Sequence, residues 1–259
     1  CGSCYVFSAN SAMESALCLK GLHDCETFIG LSEQQVLDCA TYDQDAGEDR
    51  TWYVSNGCRG GWQSNVYQHV YRAGGITCGH MAPYMSGNST YTYPDNKYNV
   101  GQCPYNWETQ YDWIQATSHG YVDKNICGTT NKGGSKDPIA MKQAVYSKGP
   151  LAVGMYVGDN FRDVVEGIYN PEDDNEGDCP TIEETGINHA MNAVGYGVSE
   201  EGVEYWIIRN SWGETFAQGG YVKVARCVNA CGIEGNVSYA DMNGEPEEDD
   251  AAKSLCYRQ

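Results

Sequence analysis

Three residue types, at three places in the sequence, could together carry out nucleophilic chemistry. Cys4 lies in the run Cys1-Gly2-Ser3-Cys4-Tyr5, just before residues 9–19, whose composition is helical. A cysteine in the first turn of a helix lies beside the positive end of the helix dipole and beside amide hydrogens that have no partner in the helix. Both favour the thiolate, which is the nucleophilic form. We therefore predict that Cys4 attacks an electrophilic centre.

A cysteine nucleophile needs a base, and the base needs a group that orients it. His189 precedes a strand-like run, residues 190–198, and Asn210 closes the next one, residues 203–209. If these runs pair through a turn near residues 199–202, their far ends meet and Asn210 comes close to His189. The asparagine oxygen would then engage one imidazole nitrogen and leave the other for Cys4. Trp212 is predicted to shield this hydrogen bond from water.

The other histidines are more simply interpreted as surface or structural residues, and they are His23, His69, His80 and His119.

The elements that must position these residues change character along the chain. The first half is mainly helical: after the opening helix, Ser32 is a candidate cap for a short helix through Cys39, and Gly74 ends a third. The second half has a helix from about residue 137 to 147, followed by strand-like runs at residues 151–157, 190–198, 203–209 and 220–225. A helical half followed by a strand-rich half indicates an α+β architecture with two lobes.

We assign residues 1–115 to the helical lobe and residues 116–242 to the strand-rich lobe. Residues 40–56 and 76–118 show no periodicity and are predicted to be irregular loops. Residues 243–259 are predicted to form an acidic C-terminal extension. The chain begins inside the cysteine motif and without an initiator methionine, so we expect a fragment or a processed form.

Composition excludes several classes of protein. A net charge of −19 over 259 residues argues against binding to nucleic acid or to anionic membranes. No apolar run approaches the length of about 20 residues that spans a bilayer. Thirteen cysteines, with Cys4 set aside, leave an even number for disulfides in an oxidising compartment. No second C-x-x-C pair supports a zinc site, and we expect neither metal nor cofactor. Sequons at Asn88 and Asn236 agree with secretion.

Taken together, the three motifs resemble those of papain-family cysteine peptidases. The family carries C-G-S-C, H-A-x-x-x-V-G-Y-G and N-S-W-G in this order, and the chain matches them at Cys4, His189 and Asn210. Residues 32–39, 57–61 and 231–234 also resemble the family, so that the likeness runs from residue 1 to about 240. It implies a papain-like two-lobed fold, with a helical left lobe, an antiparallel β-barrel-like right lobe and the active-site cleft between them.

The resemblance implies peptide-bond hydrolysis through a thioester on Cys4, with His189 as acid and base and Asn210 as its orienting group. The oxyanion would be held by the backbone N–H of Cys4 and by a glutamine that the family places just before the first cysteine. Tyr5 stands where the family more often has tryptophan. The interval from Cys4 to His189 exceeds the usual spacing of about 130–150 residues, which indicates insertions in residues 40–56 and 77–102. His80 is the one histidine in the second insertion, so that a carboxydipeptidase loop with paired histidines is not supported.

Substrate-binding residues follow from the same resemblance, with glycine backbone pairing with the substrate and larger residues forming a pocket. They are Gly60, Gly61, Trp62, Gly154, Ile187, Asn188, Trp212 and Asn236. Asn236 at the pocket base implies a hydrophobic preference with weak tolerance for a basic residue. A glycan on Asn236 would obstruct that pocket.

The resemblance also implies three disulfides, Cys1–Cys58, Cys39–Cys103 and Cys179–Cys231. Cys18 and Cys25 could close a local loop. The partners of four further cysteines stay open, and they are Cys78, Cys127, Cys227 and Cys256.

The predicted function is therefore a monomeric cysteine endopeptidase, active at acidic pH, in a lysosome, a vacuole or the extracellular space. Its partners would be protein or peptide substrates, an inhibitory propeptide and cystatin-like inhibitors. The alternative is a catalytically silent papain-like protein that binds or stores.

Overall fold

The computed structural model describes residues 1–28, 30–40, 55–86, 114, 116–122, 139–171, 179 and 186–242. The chain divides into two compact units, Cys1–His119 with Ala240–Gln259, and Gly120–Tyr239. Within the described ranges, no helix is both long enough and apolar enough to cross a membrane. Most of the predicted insertions, Cys103 and the C-terminal extension 243–259 lie outside the described residues.

Three helices form the frame of the first unit, and they are α1 (Cys4–Leu19), α2 (Glu33–Cys39) and α3 (Gln63–Ala73). Both α2 and α3 pack against α1, whose side chains Val6, Ala9 and Met13 are fully buried. Gly74 ends α3 in the left-handed conformation at φ +83°, which glycine adopts without a steric penalty. The three helices predicted for this half are therefore present.

The start of α2 anchors residues 77–86 to the first unit. The Ser32 side chain accepts a hydrogen bond from the Gln35 N–H at 3.0 Å, as a helix cap does. Gln34 Oε1 accepts from the backbone N–H groups of Met85 and Ser86 at 2.9 and 3.1 Å. Gln34 Nε2 also donates to Asp38 at 2.9 Å. The family-like residues 32–38 thus satisfy buried polar groups that would otherwise be costly.

Glu33, the first residue of α2, carries a half-buried carboxyl group close to another acid. Burial, and after it the neighbouring Glu14 carboxylate, raises the pKa of Glu33 to about 7. Glu14 itself accepts a hydrogen bond from the Leu31 N–H at 2.8 Å, which keeps its charge near α2. The first unit therefore contains a carboxyl group that is neutral in acid and ionises near neutral pH.

A single sheet is the main feature of the second half of the chain. Among the described residues its strands are β1 (Ala116–Tyr121), β2 (Leu151–Met155), β3 (Ile168–Tyr169), β4 (His189–Val198), β5 (Glu204–Arg209), β6 (Tyr221–Ala225) and β7 (Val237–Met242). Their order is β1-β7-β2-β4-β5-β6-β3. The pairing of β3 with β6 is parallel. Helices α4 (Ile139–Lys148) and α5 (Asp159–Arg162) precede β2 and β3.

The α+β class is therefore confirmed, but the expected barrel-like closure is not observed. The described strands form an open, mixed sheet in which β1 and β3 are the two edges. Strands β1, β3 and β7 and helix α5 are absent from the sequence-based assignment. The core of this unit contains Phe161, Trp206 and Ile208, all fully buried.

Strands β4 and β5 form the antiparallel hairpin that the sequence predicts. Ser199 N–H donates to the Val203 carbonyl at 2.9 Å and closes the turn. The ladder contains a β-bulge, because Ala193 lies opposite Ile208 whereas Gly195 lies opposite Ile207. The hairpin therefore brings the start of β4 and the end of β5 to one edge.

Glu234 organises the loop between β6 and β7. Its carboxylate accepts hydrogen bonds from the Trp206 indole N–H at 2.9 Å and from the backbone N–H groups of Cys227 and Asn229 at 2.8 and 3.2 Å. Burial raises the pKa of Glu234, while these hydrogen bonds oppose the rise. The buried Arg226 pairs with Glu204 beside this loop.

Three disulfides connect described residues. Cys1–Cys58 and Cys179–Cys231 are pairs that the resemblance implies, and Cys18–Cys25 closes the local loop that the sequence allows. Cys39 and Cys78 are also disulfide-bonded, but their partners lie outside the described residues, so that Cys39–Cys103 stays a prediction. Cys4 and Cys227 remain thiols.

Candidate active site

His189 and Asn210 form the centre of the site in the second unit. His189 is the first residue of β4, and Asn210 follows β5, so the β4–β5 hairpin brings them together. The distance from His189 Nε2 to Asn210 Oδ1 is 2.9 Å. Asn210 Oδ1 also accepts a hydrogen bond from the Ser211 N–H at 2.8 Å, which fixes the amide. With Nε2 donating to this oxygen, Nδ1 is the basic nitrogen of the neutral ring.

Trp212 covers this pair. Its ring centre lies 4.9 Å from that of His189, with the two planes tilted by 31°. Phe216 and Phe161 contact the indole edge to face, at 5.0 and 6.3 Å between ring centres. His189 and Asn210 are only 9% and 6% exposed, whereas Trp212 is 39% exposed. The indole thus packs against the imidazole and is also partly exposed to solvent.

The electrostatics of His189 reflect this enclosure. Burial lowers the pKa of His189 most strongly, because it disfavours the charged ring. The hydrogen bond to Asn210 raises that pKa, and the positive charge of Arg162 lowers it. Without an anion beside it, the imidazole is therefore biased towards the neutral form that can accept a proton.

A second feature of this unit is a wall formed by Gly154, Ile187 and Asn236. A Cβ added at Gly154 would lie 3.0 Å from Ile187 Cγ2 and 3.6 Å from Asn236 Cβ. The Gly154 N–H donates to the Asn236 carbonyl at 2.9 Å. Three of the four residues that the resemblance assigns to one pocket, all except Trp62, therefore lie together in this unit. Ser238, which completes the Asn236 sequon, is 2% exposed within β7.

The Asn188 side chain makes hydrogen bonds within the protein. Its oxygen accepts from the Val157 N–H at 2.7 Å, and its nitrogen donates to the Val157 carbonyl at 3.0 Å. Because its side chain is engaged in this way, Asn188 would contact a substrate through its backbone. This paired contact orients the segment that leads into His189.

Cys4 begins α1 in the first unit. It is a half-buried thiol, and the first turn of α1 contains no acidic residue that would oppose a thiolate. The preceding Ser3 hydroxyl is hydrogen-bonded to the Tyr84 hydroxyl at 2.9 Å. The Gly2 N–H donates to the Cys58 carbonyl at 2.7 Å, next to the Cys1–Cys58 disulfide. The residues that precede Cys4 are thereby held in place.

Gly60, Gly61 and Trp62 lie in the same unit, between a 3₁₀ turn (Gly57–Arg59) and α3. Gly60 has φ +106°, a value that L side chains rarely adopt. A Cβ on Gly61 would lie 2.7 Å from Tyr5 Cε2. The Tyr5 hydroxyl donates to the Gly57 carbonyl at 3.2 Å. Tyr5, in the place of the commoner tryptophan, thus supports the glycine segment.

Three of the other described histidines have surroundings of their own in the first unit. His23 stacks on Phe28, and His119 lies against Tyr67. Burial lowers the pKa of His69 to about 4, so it is neutral at physiological pH. Sequence reasoning missed Arg162, Phe161 and Phe216, because their link to His189 is through Trp212 in space and follows no spacing in the sequence.

Comparison with known proteins gives a consistent result. A family model described as "Papain family cysteine protease" matches residues 1–241. Cathepsin L of Sarcophaga peregrina is 32% identical over 92% of the chain, which covers 57% of that protein. Fruit bromelain of Ananas comosus is 31% identical over 90% of the chain and 52% of its own length. The chain thus spans about half the length of the curated relatives it matches.

Solved structures agree with this likeness. The structure of the bromelain protease from Ananas comosus in complex with the E64 inhibitor has a TM-score of 0.66 and 27% identity, covering 94% of this chain and 90% of that one. These similarities confirm the predicted papain-like α+β fold.

Proposed function

Because the chain belongs to the papain family of cysteine proteases, we propose that it is a cysteine peptidase with Cys4 as nucleophile. His189 is the acid and base of this reaction, and Asn210 orients His189. The observation that carries the proposal is the 2.9 Å contact of His189 Nε2 with Asn210 Oδ1 under the Trp212 ring. It leaves the other imidazole nitrogen for a thiol and holds the ring plane fixed.

The reaction follows from the chemistry of these groups. The Cys4 thiol gives its proton to His189 Nδ1, and the thiolate attacks the scissile carbonyl carbon. The backbone N–H of Cys4 donates to the oxyanion. His189 then protonates the leaving amine, and a thioester remains on Cys4. His189 next takes a proton from water, which attacks the thioester and releases the acid and the thiol.

A thiolate beside His189 would reverse the effect of burial on the imidazole. Burial lowers the pKa of His189 when no anion is near. An adjacent negative charge raises a histidine pKa, because it favours the imidazolium. The ion pair of thiolate and imidazolium would therefore form as a unit, and Asn210 would stabilise its positive member.

The substrate preference follows from the wall of Gly154, Ile187 and Asn236. The Gly154 position has no side chain, and Ile187 supplies an apolar surface. We infer that this wall and Trp62 bind the side chain second before the cut. A hydrophobic side chain is preferred, with weak tolerance for a basic one at Asn236. Gly60 and Gly61 pair with the substrate backbone, and the enzyme cuts within chains as an endopeptidase.

Acidic conditions suit this protein. The raised pKa of Glu33 means that the first unit loses stability as the pH rises from 4.5 to about 7. The net charge of −19 falls as carboxylates protonate, which reduces self-repulsion. Disulfides require an oxidising compartment. We therefore place the enzyme in a lysosome, a vacuole or the extracellular space, with an inhibitory propeptide and cystatin-like inhibitors as partners.

The test uses the protein with whatever precedes Cys1 in its natural reading frame, beside a Cys4→Ala variant. Both are treated with an epoxysuccinyl peptide probe and a fluorogenic dipeptide at pH 5–6. Labelling and cleavage that Cys4→Ala abolishes are expected. A folded wild-type protein that neither reacts with the probe nor cleaves would refute the peptidase and favour a silent papain-like binding protein.

A second variant tests the role of Asn210. Asn210→Ala removes a hydrogen bond to an imidazolium, a loss worth about 1.5–3 kcal/mol. That loss corresponds to about a 10- to 100-fold lower kcat. Asn160→Ala, a change of an exposed asparagine in the same unit, is the matched control and should leave kcat unchanged. Equal rates for the two variants would remove Asn210 from the mechanism.

A further inference from the structure

Arg162 is a cation beside the candidate active site that the proposed mechanism does not use. It is the last residue of α5, and its side chain is exposed. Its guanidinium carbon lies 5.9 Å from the centre of the Trp212 ring. The Trp212 ring in turn lies against His189 at 4.9 Å. Arg162 is also the charged group whose field acts on the imidazole.

Among the described residues, no carboxylate forms an ion pair with Arg162. Other cations do have such partners, since Lys20 pairs with Asp241 and Arg226 pairs with Glu204. Asp159 and Asp163 are close to it in sequence, but no ion pair joins either of them to its guanidinium. A guanidinium that lies over an indole at this distance still has N–H donors from which a carboxylate can accept two hydrogen bonds.

The position of Arg162 decides which part of a bound substrate it can contact. This step rests on the proposed function, in which His189 hands a proton to the leaving amine. The leaving peptide therefore begins beside the imidazole. The wall of Gly154, Ile187 and Asn236 adjoins His189 through β2 and the residues before β4, and takes the acyl part. Arg162 is linked to His189 through Trp212, which follows β5 and lies close to both residues.

We propose that Arg162, which lies over the Trp212 ring, binds a carboxylate on the leaving part of the substrate and thereby determines specificity after the cut. Two sources offer this chemistry. One is an aspartate or glutamate side chain just after the scissile bond, and the other is the terminal carboxylate of a peptide cut near its end. The net charge of −19 repels acidic peptides at long range, so a local preference for a carboxylate would depend on Arg162.

The size of the effect follows from the exposure of Arg162. Ion pairs at exposed positions contribute modestly, which gives about a two- to five-fold preference in kcat/KM for glutamate over glutamine. Salt screens such pairs, so the preference should shrink at 0.5 M NaCl. The acyl-side preference, which involves no charge on Arg162, should not change.

The experiment compares quenched fluorescent peptides that differ only in the residue after the cut, which is Glu, Gln or Lys. A further pair ends one residue after the cut, with a free carboxylate or an amide. Wild type, Arg162→Met, Arg162→Lys and the matched control Lys223→Met, which removes a lysine on β6 that lies over Tyr205, are measured with each peptide. Arg162→Met should abolish the preference for glutamate, while Arg162→Lys and Lys223→Met should retain it.

The outcomes separate this inference from the proposed function. Cleavage of the Gln peptide that is lost in Cys4→Ala tests the peptidase alone. Binding of the same peptides to the Cys4→Ala protein, by fluorescence anisotropy, measures the preference without turnover. A Glu-to-Gln ratio that is the same in wild type and Arg162→Met, in rate and in binding, would overturn the inference. A preference for the free carboxylate only would identify the terminal group as the ligand.

Discussion

Replacing Glu33 by glutamine should make the protein more stable at neutral pH and leave it unchanged in acid. The Glu33 carboxyl is half-buried at the start of α2 close to the Glu14 carboxylate, and its pKa rises from 4.5 to about 7. Glutamine keeps the shape and the hydrogen-bonding capacity of the neutral acid but cannot ionise. The variant therefore isolates the cost of ionising this one group.

The sign and the size follow from the two pKa values. Below pH 4.5, Glu33 is protonated in both the folded and the unfolded chain and costs nothing. As the pH rises from 4.5 to 7, the unfolded chain ionises first and the folded state loses stability. Above pH 7 the loss levels off at about 3 kcal/mol. That is a large fraction of the about 5–15 kcal/mol that stabilises a typical domain.

The assay is chemical denaturation between pH 4 and 8, in a Cys4→Ala background that prevents self-digestion. Glu33→Gln should flatten the fall in unfolding free energy between pH 4.5 and 7 and be more stable at pH 8. Glu26→Gln, an exposed change in the same unit, is the matched control and should follow the parent curve. Parallel curves for Glu33→Gln and its parent would show that the carboxyl is not buried as a neutral acid.

Three further outcomes are expected. Gly61→Ala should lower stability by about 1–3 kcal/mol, because its Cβ would meet the Tyr5 ring at 2.7 Å; Gly79→Ala, whose nearest contact is 3.5 Å, should change the melting temperature far less. Glu234→Ala should lower unfolding free energy in urea by about 3 kcal/mol or more, because it leaves three donors without their acceptor; a loss under 1 kcal/mol would contradict this. Asn236 should carry no glycan, since its sequon lies partly in a strand, and glycosidase treatment followed by mass spectrometry would reveal any conversion to aspartate.

Elements whose ends are set by nearby residues could be predicted from the sequence. Strands that form only because they pair with a neighbouring strand could not. Ser32 caps α2 and Gly74 ends α3 because short-range chemistry decides both ends. Strand β1, Ala116–Tyr121, has no alternation of apolar residues, and β3 contains two residues. Such strands exist because a neighbour offers backbone hydrogen bonds, which no local pattern records.

The same distinction applies to the site. His189 and Asn210 could be placed together because one hairpin joins them and its turn is visible in the sequence. Arg162 could not be placed, because a short helix, α5, brings it to Trp212 from an unrelated part of the chain. The expected barrel-like closure was wrong because local patterns reveal strands and leave open how the edges of a sheet meet.

The bulge in β4 has a consequence for how the length of this hairpin can vary. If the pairing of Asn192 with Arg209 continues by one residue, Asn210 lies opposite Met191. Met191 and His189 are two residues apart on one strand, so their side chains share a face of the sheet. Without the bulge, the register at the turn would set Asn210 opposite Asn192, on the other face from His189.

Val194 is the extra residue that the bulge accommodates, and the bulge thereby keeps the register at the turn compatible with the register beside the histidine. Deletion of Val194 would leave both registers intact, because Ala193 could still pair with Ile208. The loss of one residue from β5 would instead separate His189 from Asn210 while every motif stayed readable in the sequence. Insertions and deletions in this hairpin are thus constrained by whether the number of residues gained or lost is odd or even, as well as by their position.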